Sequence, residues 1–172
     1  MSPERVLCAW DHVSMELRAM TAADDVMPFV IAAMNWRDDG AWDAASVLAD
    51  PAVAHYVSGW MRGGDAGVIA VEGDERVGAA WWRHFTSVDP GYGYVADDVP
   101  ELGLAVLRSH RRRGVARALM TRFIDRARSE GIPALSLSVE DGNDAARVLY
   151  QSLGFITVGR VGASDTLLLR IG

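Results

Sequence analysis

Residues 106–116 read Val-Leu-Arg-Ser-His-Arg-Arg-Arg-Gly-Val-Ala. An apolar run ends, a tight basic turn follows, and an amphipathic stretch begins just past a glycine. The first turn of a helix presents N–H groups with no intrahelical partner, together with the positive end of the helix dipole, and so attracts anions. Gly114 removes the side chain where a phosphate would approach closely, and Ala116 keeps the next position small. Arg111, Arg112 and Arg113 add positive charge. The chemistry is that of a pyrophosphate cradle. The same run also reads as an exposed basic turn ending at a helix-start glycine, or as a patch for nucleic acid. Other phosphate loops fit worse, since the chain has no Gly-Lys-Ser/Thr of a P-loop and no Gly-x-Gly-x-x-Gly of a dinucleotide fold.

The elements that position this turn belong to a chain of 172 residues, the length of a single domain, with 50% apolar and 23% charged residues. That composition excludes disorder, collagen and coiled coil. All 17 basic residues are arginine, and 23 acidic residues bring the net charge to -6. A negative chain without lysine is a poor general binder of nucleic acid or anionic membrane, because phosphate contacts demand positive surface. One cysteine, Cys8, excludes an internal disulfide framework and a multi-cysteine zinc site. His12, His55 and His84 lack metal-ligand spacing, and His110, beside the basic turn, reads as structural or solvent-facing rather than catalytic. No metal is expected. Residues 1–12 carry charges and no long apolar run, and the greasiest stretch, 26–34, holds Pro28 and is too short to span a bilayer. A cytoplasmic protein is the expectation.

Along the chain, 13–18 reads as a strand. Thr21, with Asp24 three residues on, has the spacing of a capping box and predicts a helix through Asn35. A second helix is expected over 42–49, stopped by Pro51, while 55–64 is ambiguous. Residues 67–71 and 76–85 are apolar runs joined by a turn, a hairpin signal, and 86–98 is a long loop rich in Gly, Pro, Asp and Tyr. A strand over 99–107 leads into the basic turn. A helix over 115–129 follows from the stripe Val115, Leu119, Phe123 and Ala127, with Gly131 at its C-terminal cap. Strict alternation makes 134–139 a strand, 143–153 a helix, and 155–159 and 166–171 closing strands. Strand–helix–strand over 99–139 requires a parallel, right-handed crossover, with antiparallel hairpins on either side. The fold class is α/β, a mixed, mostly antiparallel sheet with a parallel pair, flanked by helices.

Arg111-x-x-Gly114-x-Ala116 resembles the Arg/Gln-x-x-Gly-x-Gly/Ala signature of the GNAT superfamily of N-acetyltransferases. The resemblance extends to the strand Glu101-Leu-Gly-Leu-Ala-Val106 before it. It extends also to Asn143-Asp-Ala-Ala146-Arg-Val-Leu-Tyr150-Gln-Ser-Leu-Gly154-Phe155 after it, which is similar to the family's Asn-x-x-Ala-x-x-x-Tyr-x-x-x-Gly-Phe element. The two blocks span 101–155, about a third of the chain by motif, and the order of elements matches over most of the rest.

That resemblance implies one GNAT domain over 1–172 with a cofactor-binding core at about 99–155. It implies acetyl-CoA as co-substrate, bound in a V-shaped opening between two splayed parallel strands, here 99–107 and 134–139. The amides of Arg112, Arg113, Gly114, Val115, Ala116 and Arg117 would hold the pyrophosphate, next to the signature's Arg111. Main-chain groups of Leu104, Ala105 and Val106 would meet the pantetheine arm, and Leu104 N–H would donate to the thioester carbonyl as it gains negative charge. Asn143 would hydrogen-bond the pantetheine. Tyr150 would protonate the departing thiolate, a task suited to a phenol with a pKa near ~10. Asn143 and Tyr150 lie two helical turns apart, on one face.

A base must free the amine for attack. Glu101 stands where similar enzymes often carry a glutamate, with Asp97, Asp98, Glu140 or a water relay as rivals. Alternation along the strand places Glu101 with Gly103 and Ala105 rather than with Leu104. Residues 35–42, the loop 86–98, Trp81 and Trp82 are the expected acceptor walls, and Trp36, Trp42, Tyr92 and Tyr94 offer aromatic faces for an amine. The implied reaction is direct transfer of acetyl to a primary amine: a small amine, an amino acid, an antibiotic or a peptide N-terminus. Homodimers are common among similar proteins. The alternative reading is a non-catalytic acyl-CoA-binding or regulatory module on the same fold.

Overall fold

A computed structural model describes residues 4–6 and 14–172. Cys8, His12 and Val13 lie outside the described residues. In chain order the elements are β1 (Glu4–Val6), β2 (Met15–Ala19), α1 (Met27–Met34), α2 (Ala44–Ala49), α3 (Pro51–Ala54), β3 (Ala66–Glu72) and β4 (Glu75–Arg83). Then come β5 (Glu101–Val106), a 3-10 turn (Arg108–His110), α4 (Val115–Ser129), β6 (Ala134–Glu140), α5 (Asp144–Ser152), β7 (Ile156–Val161) and β8 (Ser164–Arg170). The strands form one sheet in the order β1-β2-β3-β4-β5-β6-β8-β7. β5 and β6 run parallel, whereas β1–β2, β2–β3, β6–β8 and β7–β8 are antiparallel, as the fold class read from the sequence requires. β1 is absent from the sequence reading, because three residues carry too little alternation to register.

The chain divides into two compact units, residues 1–81 with 103–123, and residues 82–102 with 124–172. In the first unit, β2 and β3 pair in the register Leu17↔Ala70. Phe29, Val30, Val47, Val53, Ile69, Ala79, Trp81 and Ala105 bury one another, joining the α1–α3 segment to the strands. The Trp81 ring lies against the backbone at Gly103, where a Cβ would come within 2.3 Å of it.

Three sequence expectations change here. Thr21 does not cap a helix. Asp24, 3% exposed, turns back to accept from Thr21 N–H at 2.9 Å and receives Arg18 through paired bonds of 2.7 and 2.8 Å and Arg76 at 3.2 Å. Two arginines outcompete a local cap, so α1 starts later, with Pro28 in its first turn and Met27 N–H bonded to Asp25 at 2.9 Å. α2 begins at Asp43, whose carboxylate and Ser46 form a reciprocal capping box. Pro51 opens α3 rather than only closing α2, since a first-turn proline gives up an N–H that has no partner anyway.

In the second unit, β6 and β8 pair through Leu135↔Leu169 and Leu137↔Leu167, and β7 pairs β8 across a bulge between Thr157 and Gly159. The loop expected over 86–98 is ordered by Asp97. Its carboxylate accepts from Tyr94 Oη at 2.5 Å and Ser87 N–H at 3.2 Å. Gly93 of this loop passes so close to β6 that a Cβ would lie 2.5 Å from the Leu137 carbonyl carbon. α4 keeps the bounds that its stripe predicts, and Ile132 N–H reaches back to the Ala127 carbonyl at its end.

The Arg18 guanidinium bonded to Asp24 holds that carboxyl well below the usual carboxylate range. A depressed folded pKa contributes stability above the unfolded value near ~3.9 and loses it as pH falls toward the folded one. Asp24→Asn is expected to lower stability at pH 7 by about 2–3 kcal/mol, or about 5–10 °C in midpoint. The difference from wild type should shrink as chemical denaturation is repeated below pH ~4.

Candidate functional site

The first unit carries the predicted phosphate turn. β5 ends at Val106, and Leu107 N–H donates to the Val77 carbonyl at 2.9 Å, fixing where the strand stops. The 3-10 turn follows, with Arg111 N–H closing on the Arg108 carbonyl at 3.3 Å. Arg112 has φ +61 and Gly114 φ +80, so two of three successive residues are left-handed. Such curled backbone turns N–H groups toward one concavity, an arrangement that binds anions. A Cβ on Gly114 would meet nothing within 4 Å. The glycine is therefore needed for its backbone angle and for the open space beside it, not for room inside the fold. α4 begins at once, and its first backbone bond runs from Ala118 N–H to the Gly114 carbonyl at 3.0 Å. Val115 is buried, Ala116 half-buried and Arg117 exposed.

The arginines of the turn do not all present charge outward. Arg111 Nη1 lies 3.0 and 3.1 Å from the two oxygens of Asp38, and its Nε donates to the Val106 carbonyl at 3.3 Å. Arg113 pairs with Glu72 at 3.2 Å. His110 is buried rather than solvent-facing: its ring bonds Ser109 at 2.8 Å and lies 3.4 Å from Glu72. Asp38 and Glu72 escape sequence reasoning because their partners are distant along the chain, 73 residues for Asp38–Arg111, and no local spacing announces them. Leu104 and Val106 are half-buried on β5, with Ala105 buried between them. A cavity of about 250 Å³ lined by Pro28, Phe29, Arg76 and Leu107 holds none of the predicted site residues.

The second unit carries the groups read as acid and base. Tyr150 is 7% exposed and stacks at a tilt on Phe155, ring centroids 5.7 Å apart. Burial pushes its phenol well above the ordinary tyrosine value. Asn143 sits just before α5 as its N-cap, its side-chain oxygen accepting from Ala146 N–H at 3.4 Å. The carbonyl oxygen is thereby engaged within the chain, which leaves the amide's donor end for a ligand. Glu101 is 6% exposed and stands opposite Ser136 of β6, whose N–H bonds the Pro100 carbonyl at 3.1 Å. Ser136 Oγ is buried with no hydrogen-bond partner among the described residues. Of the rival bases, Asp97 is engaged in ordering its loop, Asp98 is exposed and Glu140 is half-buried. Among the described residues no group of His, Cys, Asp or Glu is arranged to hold a metal ion, and no helix is long and apolar enough to cross a membrane.

Residues 30–155 match the Acetyltransferase (GNAT) family. The chain is 39% identical over 61 residues to the [ribosomal protein bS18]-alanine N-acetyltransferase of Escherichia coli (strain K12), covering 36% of this chain and 41% of that one. It is 28% identical over 120 residues to the L-amino acid N-acyltransferase MnaT of the same organism, covering 70% and 66%. The chain thus spans less than two thirds of either relative's length. Its fold is similar to that of yncA from Salmonella typhimurium, solved with its cofactor acetyl-CoA: TM-score 0.67, 22% identity, 92% of this chain and 94% of that one.

The direction of the Tyr150 shift is directly measurable. In an ultraviolet pH titration, tyrosinate absorbance appearing near pH ~10 should be the same in wild type and Tyr150→Phe, because Tyr150 ionises only at higher pH. Loss of one tyrosinate equivalent in that range would show an exposed phenol instead.

Proposed function

The chain belongs to the GNAT family of acetyltransferases, and from that premise we propose that it is an N-acetyltransferase that moves acetyl from acetyl-CoA to an α-amino group. The observation that carries this reading is the left-handed turn of Arg112 and Gly114 opening α4 at the end of β5. The α-amine is favoured among acceptors because the relatives of known activity act on alanine of a ribosomal protein and on L-amino acids. A free amino acid and a peptide N-terminus share that group.

In this reading the amides of 112–117 hold the pyrophosphate, Leu104, Ala105 and Val106 line the pantetheine arm, and the Asn143 amide donates to it. Glu101 takes the proton of the acceptor ammonium, directly or through a water. The neutral nitrogen attacks the thioester carbonyl. A C–N bond forms, and the oxygen takes negative charge that Leu104 N–H stabilises. As the C–S bond breaks, sulfur leaves with a proton from Tyr150, and the phenol regains one shed by the former amine. Burial keeps the phenol protonated across the physiological range, so the donor is always loaded. The net change is one amide, one free thiol and one proton released. We take the protein to be cytoplasmic, a compartment in keeping with a single cysteine. Light scattering decides between a monomer and the homodimer that the family resemblance implies.

Thiol release over L-amino acids and short peptides with free N-termini tests the activity. Acetyl-CoA binding without thiol release over that panel would instead identify a non-catalytic acyl-CoA module. Tyr150→Phe is expected to lower kcat by about 10²–10⁴-fold with little change in acetyl-CoA affinity. Unchanged turnover would remove Tyr150 from the chemistry.

Binding is read separately by melting. At about 100 times its dissociation constant acetyl-CoA adds roughly 2.7 kcal/mol, raising the midpoint by about 5–11 °C. Gly114→Glu should abolish that rise by placing a carboxylate where the phosphates bind, and a full rise in the variant would overturn the cradle.

A further inference from the structure

The shape of the phosphate turn is not fixed by its own residues. Arg112 at φ +61 holds a side-chain-bearing residue in the left-handed region, a state that persists only where the surroundings over-determine it. Its two neighbours supply that constraint. Arg111 is gripped by Asp38 through Nη1, 3.0 and 3.1 Å from the two carboxylate oxygens, and by the Val106 carbonyl through Nε. Arg113 Nη2 lies 3.2 Å from Glu72 Oε1, and the other oxygen of Glu72 lies 3.4 Å from His110 Nε2. The two carboxylates arrive from different elements. Asp38 follows α1, its N–H bonded to the Asn35 carbonyl at 2.8 Å, and Glu72 is the last residue of β3. Arg112, between these two ion-paired arginines, makes no ion pair among the described residues.

We propose that Asp38 and Glu72 are positioning residues for the acyl donor: by holding Arg111 and Arg113 they keep the turn of Arg112 and Gly114 in the shape that receives the pyrophosphate. The inference rests on the reading of this turn as the phosphate cradle. Its consequence is a division of labour among three adjacent arginines. Arg111 and Arg113 are spent on carboxylates and act through geometry, whereas Arg112 and the backbone amides act on the phosphates. Losing either acid frees a guanidinium near an anion site, which by charge alone would strengthen donor binding, so a weakened affinity reports the lost shape of the turn.

A pair of donors separates this role from a merely structural one: acetyl-CoA, and S-acetylpantetheine, which lacks the phosphates. Asp38→Asn and Glu72→Gln are expected to lower kcat/KM for acetyl-CoA about three- to tenfold through KM, leaving kcat within about twofold. Neither should change kcat/KM for S-acetylpantetheine. In an Arg111→Gln background, Asp38→Asn should add nothing further, and Asp38→Glu in the native background should restore most of the loss. An equal fall with both donors, or no fall with acetyl-CoA, overturns the positioning role. Should Glu72→Gln fail to fold, Asp38→Asn decides alone, since that side chain is 31% exposed. Wild type that uses S-acetylpantetheine as well as acetyl-CoA would refute the cradle itself, before any variant is compared.

Discussion

A backbone that binds an anion through its amides has to be bent beforehand, because the anion offers no directional force until the N–H groups already converge. Here the bend is concentrated at Arg112 and Gly114. Glycine adopts its angle freely, while arginine does so at a cost that neighbouring contacts must offset. The end of β3, the segment after α1 and the last residue of β5 each contribute one contact to that turn, through Glu72, Asp38 and the Val106 carbonyl. Much of the first unit can thus be understood as the frame of a loop of four residues. The hydrophobic cluster around Phe29 and Trp81 holds the elements that bring these acids in. The strained turn converts that packing into a fixed set of N–H directions.

The second unit works by burial. Tyr150 and Glu101 lie almost out of solvent, on α5 and β5, and each is a group whose charged form water would stabilise. Removing water favours the neutral phenol and sharpens any interaction with a transferred proton. The loop over 86–98 shows the same economy in polar groups. Asp97, a candidate base by sequence, spends its carboxylate on Tyr94 and Ser87 and so helps set the course of a segment whose own backbone pairing is a single bridge between Thr86 and Asp89.

What is legible in the sequence follows from the range of the interactions. α4 is read to the residue because its stripe and its flanking glycines are local signals, and the turn before it is equally local. The motif around Asn143 and Tyr150 is legible for the same reason. Thr21 and Asp24 mislead because the capping spacing is genuine but weaker than two guanidiniums, one of them contributed by Arg76, 52 residues away. Asp38 and Glu72 are silent in the sequence, as one acid among 23 carries no mark of the partner it will meet. Local rules therefore find the turn of Arg112 and Gly114 and miss the carboxylates that pair with its neighbours.

The fixed charges of this protein are knit by one cation type. Arg18, Arg76, Arg111, Arg113, Arg126, Arg147 and Arg160 are among the arginines that make ion pairs, and the chain has no lysine to share the task. A guanidinium stays protonated and is a poor nucleophile, whereas a lysine amine exposed to a thioester is slowly acylated and loses its charge. A charge network built on guanidinium is therefore one that an acyl thioester cannot erode. Ion pairs of this kind keep their charge wherever an acyl donor is present, because neither partner is a nucleophilic amine.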